Sequence, residues 1–132
     1  MDKGPLVDEE IAAGARFLGE FTKRYPVQFA FWLKEGEHHN WRLYVVSEQI
    51  TDENFDRAYG EVVRIAHAFR DPWFKTRQVT VLGVDERLAK VVAELRQRYP
   101  LDKPARFFGE TVDGIEAEEI YVYPSPLPVA VG

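Results

Sequence analysis

The sequence predicts a single α+β domain with three helices and a five-stranded mixed sheet, in the order α-β-β-α-β-α-β-β. Three segments carry apolar residues at helical spacing, and two pairs of segments alternate apolar and polar residues about a turn. A short, nearly all-apolar segment lies between two of the helices and is typical of a covered strand. The length of 132 residues fits one domain, predicted at residues 1–123 with a Pro-rich extended tail at 124–132.

The first helix is predicted from Asp8 to Tyr25. Its first turn is acidic, which suits the positive end of a helix dipole. Pro26 ends the helix, because proline lacks an N–H group and disfavours helical geometry at the preceding residue. Gly14 lies within the apolar stripe, where the missing side chain would let a neighbouring element approach closely.

A hairpin is predicted next, from an apolar-polar alternation over residues 27–34 and a second over residues 41–47. The second helix is predicted from Thr51 or Asp52 to Arg70, and residues 78–84 form the short covered strand. The strand–helix–strand crossovers through the second and third helices are expected to be right-handed, which predicts that the middle strands are parallel.

A third helix is predicted to start at a cap on Asp85 and to end at Pro100. The last element is a hairpin, because Asp113-Gly114 is a strong two-residue turn signal between residues 105–112 and 115–123. The alternation slips at Glu118-Glu119, which predicts a bulge in the final strand.

The sequence lacks the residues that several classes of catalytic site require. The chain contains no cysteine, which excludes disulfides, thiol catalysis and thiolate metal sites. Neither Ser47 nor Ser125 lies in the Gly-x-Ser-x-Gly pattern of a nucleophile elbow. Gly14 and Gly19 are followed by Glu20 where a phosphate-binding loop needs lysine. The sequence therefore favours a protein without a cofactor and inclines against an enzyme.

The charge balance also limits the partners. The net charge of −5 disfavours nucleic acid, and no apolar run is long enough to cross a bilayer. The first five residues lack the apolar core of a signal peptide, so a cytoplasmic protein without membrane association is expected. Basic residues on the third helix alternate with acidic ones and indicate a solvated face: Arg87, Lys90, Arg96 and Arg98.

Aromatic residues make up 14% of the chain and suggest an interaction face. If Phe31 and its alternate neighbours face the helices, Trp32 lies on the other side of the sheet, where Arg42, Tyr44 and Tyr121 could join it. The function expected from such a face is a non-catalytic interaction or regulatory module that binds itself or a protein partner. The alternative is that a helix covers this face, which makes these ordinary core residues.

A second functional hypothesis concerns the polar loop Glu35–Asn40, which contains Glu37, His38 and His39. Imidazole and carboxylate ligands suit zinc or another divalent ion, so a metal-binding, ligand-binding or enzymatic site could form there. Adjacent histidines on a strand point to opposite faces, so both could join one site only from an irregular loop. A solvated hairpin tip is the alternative interpretation.

Two segments carry a resemblance: residues 27–33 (VQFAFWL) with 41–45 (WRLYV), and residues 113–123 (DGIEAEEIYVY). They resemble a family of small uncharacterised bacterial α+β proteins with a Phe-Trp-Leu strand, a Trp-Arg-Leu strand and a closing Tyr-x-Tyr strand. The resemblance implies no activity. It does imply that four positions recur in the family: Trp32, Trp41, Arg42 and Tyr121.

Overall fold

A computed structural model describes residues 8–36, 41–69 and 78–124. The predicted class, element order and five-stranded mixed sheet are confirmed. The elements are α1 (Asp8–Arg24), β1 (Phe29–Glu35), β2 (Trp41–Ser47), α2 (Phe55–Phe69), β3 (Val79–Gly83), α3 (Arg87–Arg96), β4 (Ala105–Val112) and β5 (Ile115–Val122). None of these helices is long and apolar enough to cross a membrane.

The sheet has the strand order β3-β2-β1-β5-β4, and among the described residues only β2 and β3 are paired in parallel. The expected parallel crossover is therefore confirmed for α2, which joins these two neighbours. For α3 it is wrong, because α3 connects β3 at one edge to β4 at the opposite edge, and the two run in opposite directions. Three strands, β2, β1 and β5, lie between β3 and β4.

Helices cover both faces of the sheet. On one side, called the α1–α2 face, the core combines apolar side chains of both helices with alternate residues of the strands, among them Trp32 and Leu43. On the other side, the α3 face, Leu88 and Val92 of α3 pack with Phe31, Val46 and the remaining alternate positions. Strands β1, β2, β3 and β5 thus contribute to both cores, whereas β4 contributes to the core on the α3 face, and this two-sided packing explains the high aromatic and aliphatic content.

Gly14 is the point where α1 and the sheet approach closely, as predicted. A Cβ atom at this position would overlap the Tyr123 hydroxyl and lie 3.2 Å from the Trp32 ring. The buried Trp32 Nε1–H donates to Tyr123 Oη at 2.9 Å, and that hydroxyl donates to the Ile11 carbonyl at 2.7 Å. Burial raises the pKa of Tyr123 well above its ordinary value, so the phenol stays a donor at neutral pH.

The second hairpin has the predicted turn. Both turn residues have positive φ, 48° at Asp113 and 77° at Gly114, which is the geometry that matches the twist of a two-residue hairpin. The predicted bulge is also present. The register between β1 and β5 shifts between Lys34 and Glu35, leaving Glu118 as the extra residue.

The prediction that Arg96 belongs to a solvated helix face is wrong. Its side chain is buried at 4% exposure, at the C-terminal end of α3. The guanidinium donates to the carbonyls of Pro100, Leu101 and Lys103 at 2.8, 2.7 and 2.5 Å. Arg96 therefore holds the connection from α3 to β4 against the end of the helix.

Candidate functional site

The four residues of the predicted interaction face are divided between the two faces of the sheet. Trp32 and Tyr121 are cross-strand neighbours on the α1–α2 face, with exposed fractions of 0% and 7%. Arg42 and Tyr44 lie on the α3 face, where Arg42 donates to the Thr80 hydroxyl and the Tyr44 ring stacks on Phe31 at 5.0 Å. They do not form one surface.

The register of the first hairpin explains this correction. Residues directly opposite each other in a sheet point to the same side. Trp32 pairs with Leu43, and Phe31 pairs with Tyr44, so even positions of β1 share a face with odd positions of β2. The sequence pattern had placed Trp32 with Arg42 and Tyr44, but the alternation within each strand does not reveal the offset between strands.

The other predicted residues cannot be placed. Glu37, His38 and His39 lie outside the described residues, as do residues 125–132 of the predicted tail. Among the described residues, no group of three or more His, Asp or Glu side chains is arranged to hold a metal ion. The hairpin-loop metal site therefore stays a prediction.

A different site lies where the two parallel strands end. The chain leaves β2 towards α2 on one face of the sheet and leaves β3 towards α3 on the opposite face. The two connections diverge, and a gap opens between them beyond the carboxyl ends of the strands. In open sheets this switch point is the usual position of a ligand site.

A crevice of about 410 Å³ occupies this switch point. That volume lies within the range of small-molecule sites. Its apolar wall consists of Ile50, Phe55 and Val84. None of the described residues that line it is basic, and four are acidic: Glu48, Asp52, Asp85 and Glu86. The crevice therefore combines a hydrophobic wall with a negative potential.

Hydrogen bonds within the β2–α2 loop fix one wall of the crevice. Asn54 Oδ1 accepts from the Thr51 N–H at 2.8 Å, and Asn54 Nδ2 donates to the Gln49 carbonyl at 2.6 Å. Ser47 Oγ accepts from the Gln49 N–H at 3.2 Å. This local bonding is typical of Asn and Ser before a helix, and here it delays the start of α2 beyond the predicted Thr51 or Asp52.

The second wall follows from the end of β3. The N-cap of α3 is Glu86, not the predicted Asp85, and its side chain makes no capping hydrogen bond. Both carboxylates line the crevice. Gly83 brings this wall close to the first, because a Cβ atom there would lie 2.9 Å from the Ile50 carbonyl oxygen.

The sequence patterns do not predict this site. A signal was present, since acidic residues follow both strands that were expected to be parallel, at Glu48 and at Asp85. Recognising a switch point also requires that α2 and α3 lie on opposite faces. The apolar periodicity of a helix does not indicate which face of the sheet the helix covers.

The chain was compared with protein-family models, curated proteins and solved structures. No family model matches it, and neither a curated protein nor a solved structure matches. The resemblance to small bacterial proteins therefore stays an expectation.

The contact at Gly83 leads to a first prediction. Gly83→Ala forces the two walls apart, because the new Cβ meets a backbone oxygen that cannot rotate away. We expect a loss of about 1–3 kcal/mol in the free energy of unfolding, measured by urea denaturation. Gly60→Ala in α2, where nothing lies within 4 Å of the new Cβ, serves as control and should not destabilise. Amide shifts confined to residue 83, with unchanged stability, would contradict the prediction.

Proposed function

We propose that the protein binds a small organic cation in the crevice between the β2–α2 and β3–α3 connections. The observation that carries the proposal is the position of this crevice at the switch point of the parallel strand pair. Binding sites in open sheets form there because two diverging loops leave a concave surface without disturbing the sheet. This crevice takes the place of the interaction face predicted from the aromatic residues, because those residues lie on opposite sides of the sheet.

The lining residues support a positively charged ligand. Four carboxylates line the crevice, and a cleft lined by one sign of charge raises the local concentration of ions of the opposite sign. A cationic ligand is attracted to these carboxylates, whereas a carboxylate or phosphate ligand is repelled. The overall net charge of −5 acts in the same direction.

A pair of probes with opposite charge tests the proposal. We expect n-butylammonium to shift the amide resonances of residues 48–52 and 83–86 in a titration followed by ¹⁵N–¹H NMR. Butyrate, which has a similar apolar body and the opposite charge, should leave them in place. Equal responses to both ions, or no response to the cation at these amides, would overturn the proposal.

Removing charge from both walls should weaken the binding. Asp52→Asn combined with Asp85→Asn neutralises one carboxylate on each connection, and we expect about a fivefold loss of affinity for n-butylammonium from two partly screened charges. Glu94→Gln removes an exposed carboxylate of α3 that does not line the crevice, and it should preserve the affinity. Equal losses in both variants would indicate a general charge effect.

Self-association through the α3 face is a second candidate. The observation that favours it is the partial exposure of Tyr44 beside the exposed Arg42. Burial raises the pKa of Tyr44, with Arg42 acting in the opposite direction, so the phenol keeps its proton at neutral pH. Size-exclusion chromatography with light scattering should then show a dimer that Tyr44→Ala dissociates. A monomer at all concentrations would contradict this candidate.

A further inference from the structure

We infer that Phe55 is the specificity-determining residue of the crevice and that it selects cations with an alkyl chain, with Tyr59 as its positioning residue. The inference rests on the proposed function and adds the chemical class of the ligand. Phe55 is the first residue of α2, lines the crevice and has 39% of its surface exposed. The N-cap before it is Asn54, a small polar residue of the preferred type, so Phe55 is the first large side chain of α2 and lines the crevice together with four carboxylates.

The ring of Phe55 is supported from behind. It meets the ring of Tyr59, one helical turn further along α2, edge to face at a centroid distance of 4.9 Å and an angle of 64°. This arrangement is the favourable one for two aromatic quadrupoles. The Phe55 ring therefore has a defined position against Tyr59.

Tyr59 is in turn attached to the sheet. Its hydroxyl oxygen accepts a hydrogen bond from the Val81 N–H of β3 at 3.1 Å. Since β3 leads directly into the acidic wall at Asp85 and Glu86, this bond holds the aromatic wall at a fixed distance from the carboxylates. The contacts run from β3 through Tyr59 to Phe55.

Such a wall distinguishes ligands by their apolar part. An alkylammonium ion can place its charged head towards the carboxylates and its methylene groups against the Phe55 ring, gaining both charge attraction and apolar contact. A bare ammonium ion or a hydrated metal ion gains little from the ring. The expected ligands are therefore amines with an alkyl chain of several carbons.

The test compares n-butylammonium, ammonium and Mg²⁺ by NMR titration. For the unmodified protein we expect butylammonium to bind about tenfold more tightly than ammonium, because methylene groups contact the ring. Phe55→Leu should weaken butylammonium binding about threefold, and Phe55→Ala about tenfold, with ammonium and Mg²⁺ unaffected. If the ratio of butylammonium to ammonium affinity is unchanged in Phe55→Ala, the inference is overturned. It is also overturned if Mg²⁺ binds as tightly as butylammonium.

Tyr59→Phe separates positioning from general stability. It keeps the ring and removes only the oxygen that accepts from Val81. We expect the ratio of butylammonium to ammonium affinity to fall about twofold to threefold. A merely structural role would lower both affinities equally, which would contradict the positioning role.

The unmodified protein also separates this inference from the proposed function. If butylammonium shifts the crevice amides but the Phe55 variants keep the ratio, only the inference fails. If butylammonium shifts no crevice amide, the proposed function fails.

Discussion

Gly14→Ala is expected to lower the free energy of unfolding by about 3 kcal/mol, although alanine is the better helix former. The new Cβ would overlap the Tyr123 hydroxyl and press on the Trp32 ring, both buried under α1. To accommodate it, either α1 moves away from the sheet or Tyr123 gives up its hydrogen bonds to Trp32 Nε1 and the Ile11 carbonyl. Urea denaturation followed by tryptophan fluorescence measures the loss.

Gly19→Ala is the matched control for this prediction. It lies in the same helix, and nothing lies within 4 Å of the added Cβ. It should therefore raise the free energy of unfolding by up to about 1 kcal/mol, the difference in helix propensity between the two residues. A stabilising Gly14→Ala would show that the close approach is absent in solution.

A double variant isolates the contact itself. Tyr123→Phe removes the clashing oxygen but leaves Trp32 Nε1 without its acceptor, at a cost of about 1–3 kcal/mol. When Gly14→Ala is combined with Tyr123→Phe, the free energy of unfolding should fall by about 1–2 kcal/mol less than the sum of the two single losses. Additive losses would mean that the two positions do not interact.

The fold could be predicted because each element has a local cause. Pro26 limits α1, Asp113-Gly114 requires a hairpin turn, and Gly14 in an apolar stripe indicates a close approach. The end predicted for the third helix at Pro100 is wrong, because α3 ends at Arg96 and turns lead from there to the proline. These signals operate within a few residues. They were sufficient for the class, the element order, the turn and the bulge at Glu118.

The features that could not be predicted depend on relations between elements. Which residues lie on the same face as Trp32 depends on the register between β1 and β2, in which Trp32 is opposite Leu43. This register is set by the hairpin connection and by the packing of both cores. The crevice depends on α2 and α3 covering opposite faces. Arg96 looks like any charged residue near a helix end, and its burial follows only from the path of the chain after α3.

The wrong predictions have one feature in common that concerns the choice of site residues. Residues singled out for their chemistry, such as Trp32 and Tyr121, are buried and bind other parts of the same chain. Residues that form the crevice were ordinary in the sequence: an acidic residue after a strand, a phenylalanine at the start of a helix. The proposed binding site depends on their convergence at the end of a parallel strand pair, which is a property of topology.

Arg96→Ala is expected to cost about 3–4 kcal/mol of the free energy of unfolding, the range for loss of a buried charged group with several hydrogen bonds. One side chain donates to three carbonyls of the α3–β4 connection, at Pro100, Leu101 and Lys103. Arg96→Lys should lose about half as much, because an ammonium group keeps the charge but not the planar fork that reaches several acceptors at once. Arg98→Ala, at an exposed position two residues later, should stay within about 0.5 kcal/mol of the unmodified protein.

Hydrogen exchange locates the effect of Arg96→Ala and separates it from a general loss of packing. If the guanidinium holds the connection against the end of α3, the amides of Arg98 and Tyr99 should lose protection first, since they bond to the carbonyls of Leu95 and Arg96 in the last turn. The amide of Tyr123, which donates to the Ala30 carbonyl in the core on the α1–α2 face, should keep its protection until the domain unfolds globally. Equal loss at both places would show that Arg96 acts on the whole domain, and no loss at either would show that the carbonyls find equivalent partners in water.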